Sequence, residues 1–404
     1  MKQCAFFVLI FLMFSLASVF SHEPAPPPSI QSRSAIILDA ETGAVLFTKN
    51  ENEKIPPASL AKLMTMHIAL SQVDTGNAAL DEIVPLPQET WWGNQPPRSS
   101  LMFLADGQRV TLRELLLGLA ISSGNDAAVA VSLRFASSVD AFVKLMNEEA
   151  NRIGLENTVF TEPSGVSEHN MTTAAEFAVF CRYYLKAHPM SLIEYHSVGK
   201  FDYPKPKNMP EPVRSDMKTV TQYNHNYLLG RVEGVDGIKT GYIDESGYNI
   251  ALTARRDDTR LIAVVLGAPA VKNGADIRDE DGRKLLEWAF SHFRTIRPDI
   301  GVLENVRVWK GRRKFAGLAL GAPVEWTATA DRGQSLHFEI QLNEPIIAPF
   351  YAGDVAGSLV FSDSIGELRT IPLVFTENVE RAGFFKRLWD SICLFFKIRL
   401  KKVS

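Results

Sequence analysis

Cysteine, net charge and metal-binding patterns are what this sequence has little of. Its 404 residues hold three cysteines, Cys4, Cys181 and Cys393. Cys4 sits in an N-terminal apolar run and the other two fall in different regions, so no disulfide framework is indicated. The eight histidines are scattered and neither HExxH nor CxxC occurs, so no metal or cofactor is called for. Lysine and arginine number 43 against 46 acidic residues, a formal net charge of -3. That balance gives no reason to expect a nucleic-acid partner.

Long apolar runs are also scarce. One opens the chain: "MKQ" is a basic start, "CAFFVLIFLMFSLASVF" is apolar, and small residues precede His22. This pattern predicts a secretory signal peptide over residues 1–21 and an exported protein. Residues 22–30, "HEPAPPPSI", form a proline-rich leader. The stretch "RAGFFKRLWDSICLFFKIRLKKVS" closes the chain. On a helical wheel Phe384, Phe385, Leu388, Trp389, Ile392, Phe395 and Phe396 share one arc. Lys386, Arg387, Asp390, Lys397 and Lys401 take the other, with Leu394, Ile398 and Arg399 as imperfections. Positive charges interrupt the run too often for a bilayer span, so residues 378–404 read as an amphipathic helix on a membrane surface.

Between these ends the pattern is α+β. "SAIILDAETGAVLFTKN" reads as a hairpin, and "PPASLAKLMTMHIAL" starts a helix. "TLRELLLGLAISSGNDAAVAVSLRFA" reads as two helices broken at residues 122–125. "VDAFVKLMNEEANRIG" is amphipathic and stops at Gly154. Thr173 and Glu176 make a capping-box pattern. "GVDGIKTGY", "YNIALTARR" and "RLIAVVLGA" read as three antiparallel strands, and "DEDGRKLLEWAFSHF" as a last helix. Residues 31–295 are therefore expected to form an antiparallel sheet with flanking helices and a helical insert. Residues 298–376 lose helical periodicity and read as a small all-β domain, in which "SLHFEIQL" alternates cleanly.

One placement on the first helix is odd. Ser59 and Lys62 lie three residues apart, on one face of a mostly apolar helix. Two other SxxK pairs exist, Ser197/Lys200 and Ser215/Lys218, but neither falls on a helix. Taken singly, Ser59 reads equally well as a helix cap and Lys62 as a snorkelling surface residue. Downstream, however, stand a single SxN, Ser123-Gly124-Asn125, and a single KTG, Lys239-Thr240-Gly241, on a strand. SxxK, SxN and KTG in that order are the motifs of active-site serine penicillin-recognising enzymes.

The chemistry explains the residue types. A serine hydroxyl needs a base, and Lys62 serves only when neutral, so burial and a second cation, Lys239, must lower its pKa. Ser123 can relay a proton to a leaving amine, and Asn125 offers both donor and acceptor to a peptide amide. Lys239 and Thr240 suit a carboxylate, and Gly241 leaves a strand edge open. Backbone N–H groups of Ser59 and Tyr242 would form the oxyanion hole.

On these motifs, and on "SAIILDAETGAVLF", "SSGNDAA" and "SGYNIALTA", the chain resembles the low-molecular-mass penicillin-binding proteins that are D-alanyl-D-alanine carboxypeptidases. The resemblance covers nearly all of the chain beyond the apolar start. It implies a β-lactamase/transpeptidase-like catalytic domain and a serine acyl-enzyme that removes the terminal D-alanine from peptidoglycan stem peptides. It also implies inhibition by β-lactams, a role in cell-wall maturation and cell shape, and a place at the periplasmic face of the inner membrane. It further assigns Arg278, in "IRDEDGRKLLEW", to the terminal carboxylate. Tyr242 and His225 depart from the histidine and arginine frequent at those positions. Rival readings are an endopeptidase or β-lactamase using the same site, and an inactive membrane-attached scaffold. The ExxLN that a class A β-lactamase would require occurs only at Glu339–Asn343, after KTG and in the β region. Glu162, in "FTEPSGV", is a candidate deacylation helper.

Overall fold

The computed structural model describes residues 26–209, 218–333 and 335–401. The expected signal peptide, the start of the proline-rich leader and Ser215 lie outside the described residues. The expected hairpin forms as β1 (Ser34–Asp39) and β2 (Val45–Lys49). The helices α1 (Lys62–Asp74), α2 (Leu112–Leu117), α3 (Asn125–Phe135), α4 (Val139–Ile153) and α5 (Ala174–Ala187) follow. Three long strands come next, β3 (Val235–Ile243), β4 (Gly247–Arg256) and β5 (Thr259–Ala268), and then α6 (Gly274–His292).

These strands build one antiparallel sheet in the order β2-β1-β5-β4-β3. Strand β1 is buried along its whole length because both faces are covered. Ile36 and Leu38 point into the core shared with α1, α3 and α5, while Ala35 and Ile37 point into the core under α6. Each of the buried isoleucine and leucine side chains contributes about 1.5–3 kcal/mol by leaving water. Helix α1 runs through the larger core with every residue from Lys62 to Leu70 buried, polar Lys62, Thr65 and His67 among them. Strand β3 is left as an edge.

Local expectations hold with one exception. Gly154 ends α4 with φ +87°, the left-handed cap that glycine accepts. Thr173 accepts from the Glu176 N–H, but the Glu176 carboxylate does not return to Thr173. It takes the Asn157 N–H at 2.7 Å and the Thr158 hydroxyl at 2.6 Å instead. A tertiary partner has displaced half of the capping box.

After α6, strand β6 (Phe293–Ile296) begins the β-rich part. It continues with β7 (Leu318–Leu320), β8 (Trp326–Thr329), β9 (His337–Leu342), β10 (Val355–Asp363) and β11 (Gly366–Phe375). β6 pairs with β8, and the other four form a sheet in the order β7-β11-β10-β9. Its core gathers Leu359, Phe361, Ile371 and Leu373. The alternation of β9 is real, but as an edge strand it leaves Phe338 and Ile340 exposed. Buried Asp39 ties the two parts together, accepting from Thr295 Oγ1 at 2.7 Å and Thr327 Oγ1 at 2.8 Å.

The closing helix α7 (Phe384–Lys401) accounts for one irregularity of its wheel. Leu394 is buried, Asp390 accepts from the Lys310 N–H at 2.6 Å, and Lys386 donates to the Gly311 carbonyl. Leu394 therefore belongs to the docked face. Phe384, Phe385, Leu388, Trp389, Ile392, Phe395 and Phe396 all remain exposed. Among the described residues no helix is long and apolar enough to cross a membrane.

Candidate active site

Ser59 sits in a tight 3-10 turn, Ala58–Ala61, that feeds directly into α1. The turn is strained, because Ala58 holds φ +51°, a conformation that costs a non-glycine residue about 1–2 kcal/mol. Its surroundings hold it there. Asn249 donates to the Pro56 carbonyl at 3.0 Å, and Gly165 and Gly241 press their backbones onto the turn. A Cβ on Gly165 would stand 1.9 Å from the Ala58 carbonyl oxygen, and one on Gly241 would stand 3.0 Å from the Ser59 nitrogen. Edge strand β3 thus passes beside the Ser59 N–H.

Lys62 is wholly buried, with Nζ 3.0 Å from Ser59 Oγ, 2.7 Å from Asn125 Oδ1 and 2.5 Å from the Ser164 carbonyl oxygen. Those three acceptors satisfy the lysine in either protonation state. As an ammonium it donates to all three; once it loses a proton, Asn125 Oδ1 and the Ser164 carbonyl can keep the two remaining N–H groups and the lone pair is left for the Ser59 hydroxyl. Burial lowers the lysine's pKa to about 7, against the opposing pull of the Glu162 and Asp126 carboxylates. Lys239 is also held well below the ordinary lysine value, first by burial and then by repulsion from Lys62 and Arg278. Of the two causes expected to lower Lys62, burial and the second cation, burial is the one that leads. Desolvation leads for both amines, and their mutual repulsion belongs to the pair.

The second motif is shaped by a break in the helix. A π turn over Gly118–Ser122 ends at Ser123, whose φ is +55°. That twist aims its hydroxyl at Lys239 Nζ, 3.0 Å away. Asn125 opens α3, donating from Nδ2 to Ser99 Oγ at 3.0 Å while its oxygen faces Lys62. Asp126 fixes the neighbouring segment by accepting from the Met102 and Leu104 N–H groups at 2.8 and 3.0 Å. Ser59, Asn125 and Tyr242 line one cleft of about 220 Å³ with Arg98, Ser99, Gly165 and Asp244. A larger depression of about 590 Å³ lies by Arg256, Glu287 and Arg294 and holds none of the motif residues.

Three other positions singled out in the sequence lie around this group. Tyr242 stands on the cleft rim, donating to Asp244 at 2.6 Å and lying 4.2 Å, centroid to centroid, from Tyr248. Arg278 is buried on α6, where it pairs with Asp279 at 2.7 Å and donates to the His225 carbonyl at 3.4 Å. It is close enough to depress Lys239. The walls around the His225 imidazole, then Lys239, Arg278 and Lys62, push its pKa down to about 4. That residue's surface is exposed, so burial is the weaker part of this shift and the permanently charged Arg278 the firmer. Glu162 faces its own loop, and Glu339 lies on β9 in the other sheet. Sequence reasoning missed Ser164, whose carbonyl binds Lys62, and Asp126.

A buried lysine with its pKa lowered to about 7, standing 3.0 Å from a serine hydroxyl, suits acyl transfer through a serine ester. With SxN at a helix break and KTG on the edge strand, it places the molecule among the active-site serine penicillin-recognising proteins. The chain belongs to the D-alanyl-D-alanine carboxypeptidase family (peptidase S11), whose profile matches residues 21–270. Residues 292–381 match the C-terminal domain of penicillin-binding protein 5. It is 33% identical to the D-alanyl-D-alanine carboxypeptidase DacC of Escherichia coli, across 95% of this chain and 93% of that one. Penicillin-binding protein 5 from Haemophilus influenzae superposes with a TM-score of 0.75 at 27% identity, over 88% of this chain and 99% of that one. Penicillin-binding protein D2 from Listeria monocytogenes, in its ampicillin-bound form, superposes with a TM-score of 0.56 at 28% identity. That match covers 66% of this chain and all of the other.

Proposed function

We propose that this protein is an exported serine D-alanyl-D-alanine carboxypeptidase that trims the terminal D-alanine from peptidoglycan stem peptides and is acylated by β-lactams. The single observation that carries the reading is the 3.0 Å approach of Lys62 Nζ to Ser59 Oγ, at a buried lysine whose pKa is lowered to about 7.

In this mechanism Lys62 takes the Ser59 proton as Oγ attacks the carbonyl carbon of the penultimate D-alanine. Lys239, Thr240 and Arg278 hold the terminal carboxylate, and Asn125 holds the peptide amide. The Ser59 and Tyr242 N–H groups stabilise the oxyanion as negative charge develops. Collapse breaks the C–N bond, and the leaving amine takes a proton relayed through Ser123. Water then hydrolyses the ester and frees Ser59. Gly241 keeps β3 open for the substrate backbone.

The unit spanning residues 31–295 carries this chemistry in the proposal, and residues 298–376 act as a spacer. The signal peptide over 1–21 directs export. The exposed aromatic face of α7 rests on the periplasmic face of the inner membrane, where each nearby Lys or Arg adds about 1 kcal/mol on anionic lipid.

Intact mass after exposure to benzylpenicillin tests the nucleophile. One adduct is expected on the full-length chain and none on Ser59→Ala. Release of free D-alanine from a pentapeptide ending in D-alanyl-D-alanine tests the activity. An adduct at another residue, or rapid penicillin turnover without D-alanine release, would contradict the proposal.

A further inference from the structure

The loop between α4 and α5 is organised around one side chain. Glu162 Oε2 accepts from the Ser164 N–H at 2.7 Å and the Ser164 hydroxyl at 2.5 Å. Its Oε1 accepts from the Gly165 N–H at 2.6 Å, Asn170 Nδ2 at 2.7 Å and the Ser167 N–H at 3.3 Å. A carboxylate offers about four lone-pair sites, so five donors saturate it. Neither oxygen is left to activate a water, which argues against the deacylation role expected of it. Two residues of the same loop touch the catalytic pair directly. The Ser164 carbonyl takes one N–H of Lys62, and Gly165 packs against the backbone of Ala58 and Ser59.

We propose that Glu162 is a positioning residue for acylation: it folds residues 164–170 so that the Ser164 carbonyl orients the Lys62 amine, and it stands as a fixed anion behind that base. The orientation follows from counting. A neutral amine has two N–H groups and one lone pair. With Asn125 Oδ1 and the Ser164 carbonyl occupying the N–H groups, the lone pair is left pointing at Ser59. Without the carbonyl the amine is free to turn an N–H toward the nucleophile.

The electrostatic part is set by every charge facing Lys62. Glu162 from the loop and Asp126 from α3 favour the ammonium form. Lys239 on β3 is the like charge facing it, and it is itself lowered by Lys62. Arg278 on α6 and His225 on the rim lie beyond, and both interact with the lysine pair. Asp126 is committed to the backbone of Met102, Leu104 and Ala127, so Glu162 is the anion whose removal leaves that framework standing.

This inference rests on the proposed role of Ser59, and its test separates the two. Acylation by a fluorescent penicillin and decay of the adduct are followed from pH 5 to 9 in wild type, Glu162→Gln and Glu162→Asp. In the Gln variant acylation at pH 8 is expected to fall by about tenfold to a hundredfold, as for a base displaced by about 1 Å. The acid limb of its profile moves to lower pH, and adduct decay stays within about twofold of wild type. The Asp variant keeps the charge, so its limb stays where wild type has it while its rate falls. Unchanged acylation with a long-lived adduct would overturn the proposal in favour of a deacylation role. An equal loss in both steps with an unmoved limb would overturn it in favour of a purely structural one. Should the Gln variant not fold, an Asp variant that acylates at the wild-type rate overturns it too. A wild-type chain that takes no label overturns the functional reading and this inference together.

Discussion

Gly165 offers the sharpest perturbation of the nucleophile turn. Its φ is +83°, and an added Cβ would lie 1.9 Å from the Ala58 carbonyl oxygen and 2.8 Å from the Ser59 nitrogen. Gly165→Ala therefore carries two penalties. The left-handed backbone costs a β-carbon about 1–2 kcal/mol, and overpacking adds about 1–3 kcal/mol. The obstruction is main chain, so no side chain can rotate away. Ordinary contact begins at 3.4 Å, so the two backbones must part by roughly 1.5 Å. A shift of that size moves Ser59 Oγ relative to Lys62 Nζ, and about 1 Å of misplacement costs about a hundredfold in rate. The variant is expected to lose about 5–15 °C in Tm and about two orders of magnitude in penicillin acylation. Gly154→Ala is the control. It has φ +87° but nothing within 4 Å of the added atom, so it should lose about 1 kcal/mol and no acylation rate. Thermal unfolding and stopped-flow labelling measure both. A Gly165→Ala chain that matches the Gly154→Ala chain in both assays would refute the claim that this loop braces the turn.

Two further outcomes are expected. Ending the chain before Phe384 removes the exposed aromatic face and should abolish co-sedimentation with anionic phospholipid vesicles while leaving penicillin labelling intact; retained binding would place the membrane contact elsewhere. His196 is buried between Tyr184 and the Ile238 carbonyl, and burial lowers its pKa to about 3. The unfolded chain binds that proton first as pH falls below about 6.5, so stability should decline from there toward pH 3. Denaturant unfolding at stepped pH measures this slope, and a His196→Gln variant should flatten it.

Much of the site is legible in sequence because its chemistry is carried by short segments. Ser59 and Lys62 share one turn, Ser123 and Asn125 share one helix break, and Lys239 to Tyr242 share one strand. What sequence could not supply depends on partners far along the chain. The Ser164 carbonyl reaches Lys62 across 102 positions, and a backbone acceptor leaves no mark in side-chain identity. Glu162 has the residue type of a catalytic acid, and only its five donors reveal that it faces its own loop. Glu176 and Leu394 follow the same logic. Glu176 leaves its local pattern because Asn157 and Thr158 offer it donors, and Leu394 is buried one turn beyond Asp390, which accepts from Lys310. The depressed pKa of Lys62 was foreseen with burial as one of its two causes, and burial proves the leading one.

The central claim is that Lys62 works as a neutral amine, and the pH dependence of Ser59 acylation tests it most directly. A base must be unprotonated to accept the serine proton, so the second-order rate constant for penicillin should rise with pH through about 7, the value set for Lys62, and level off above it. A limb at the ordinary lysine value of 10.5, or a rate constant flat from pH 5 to 9, would contradict the account.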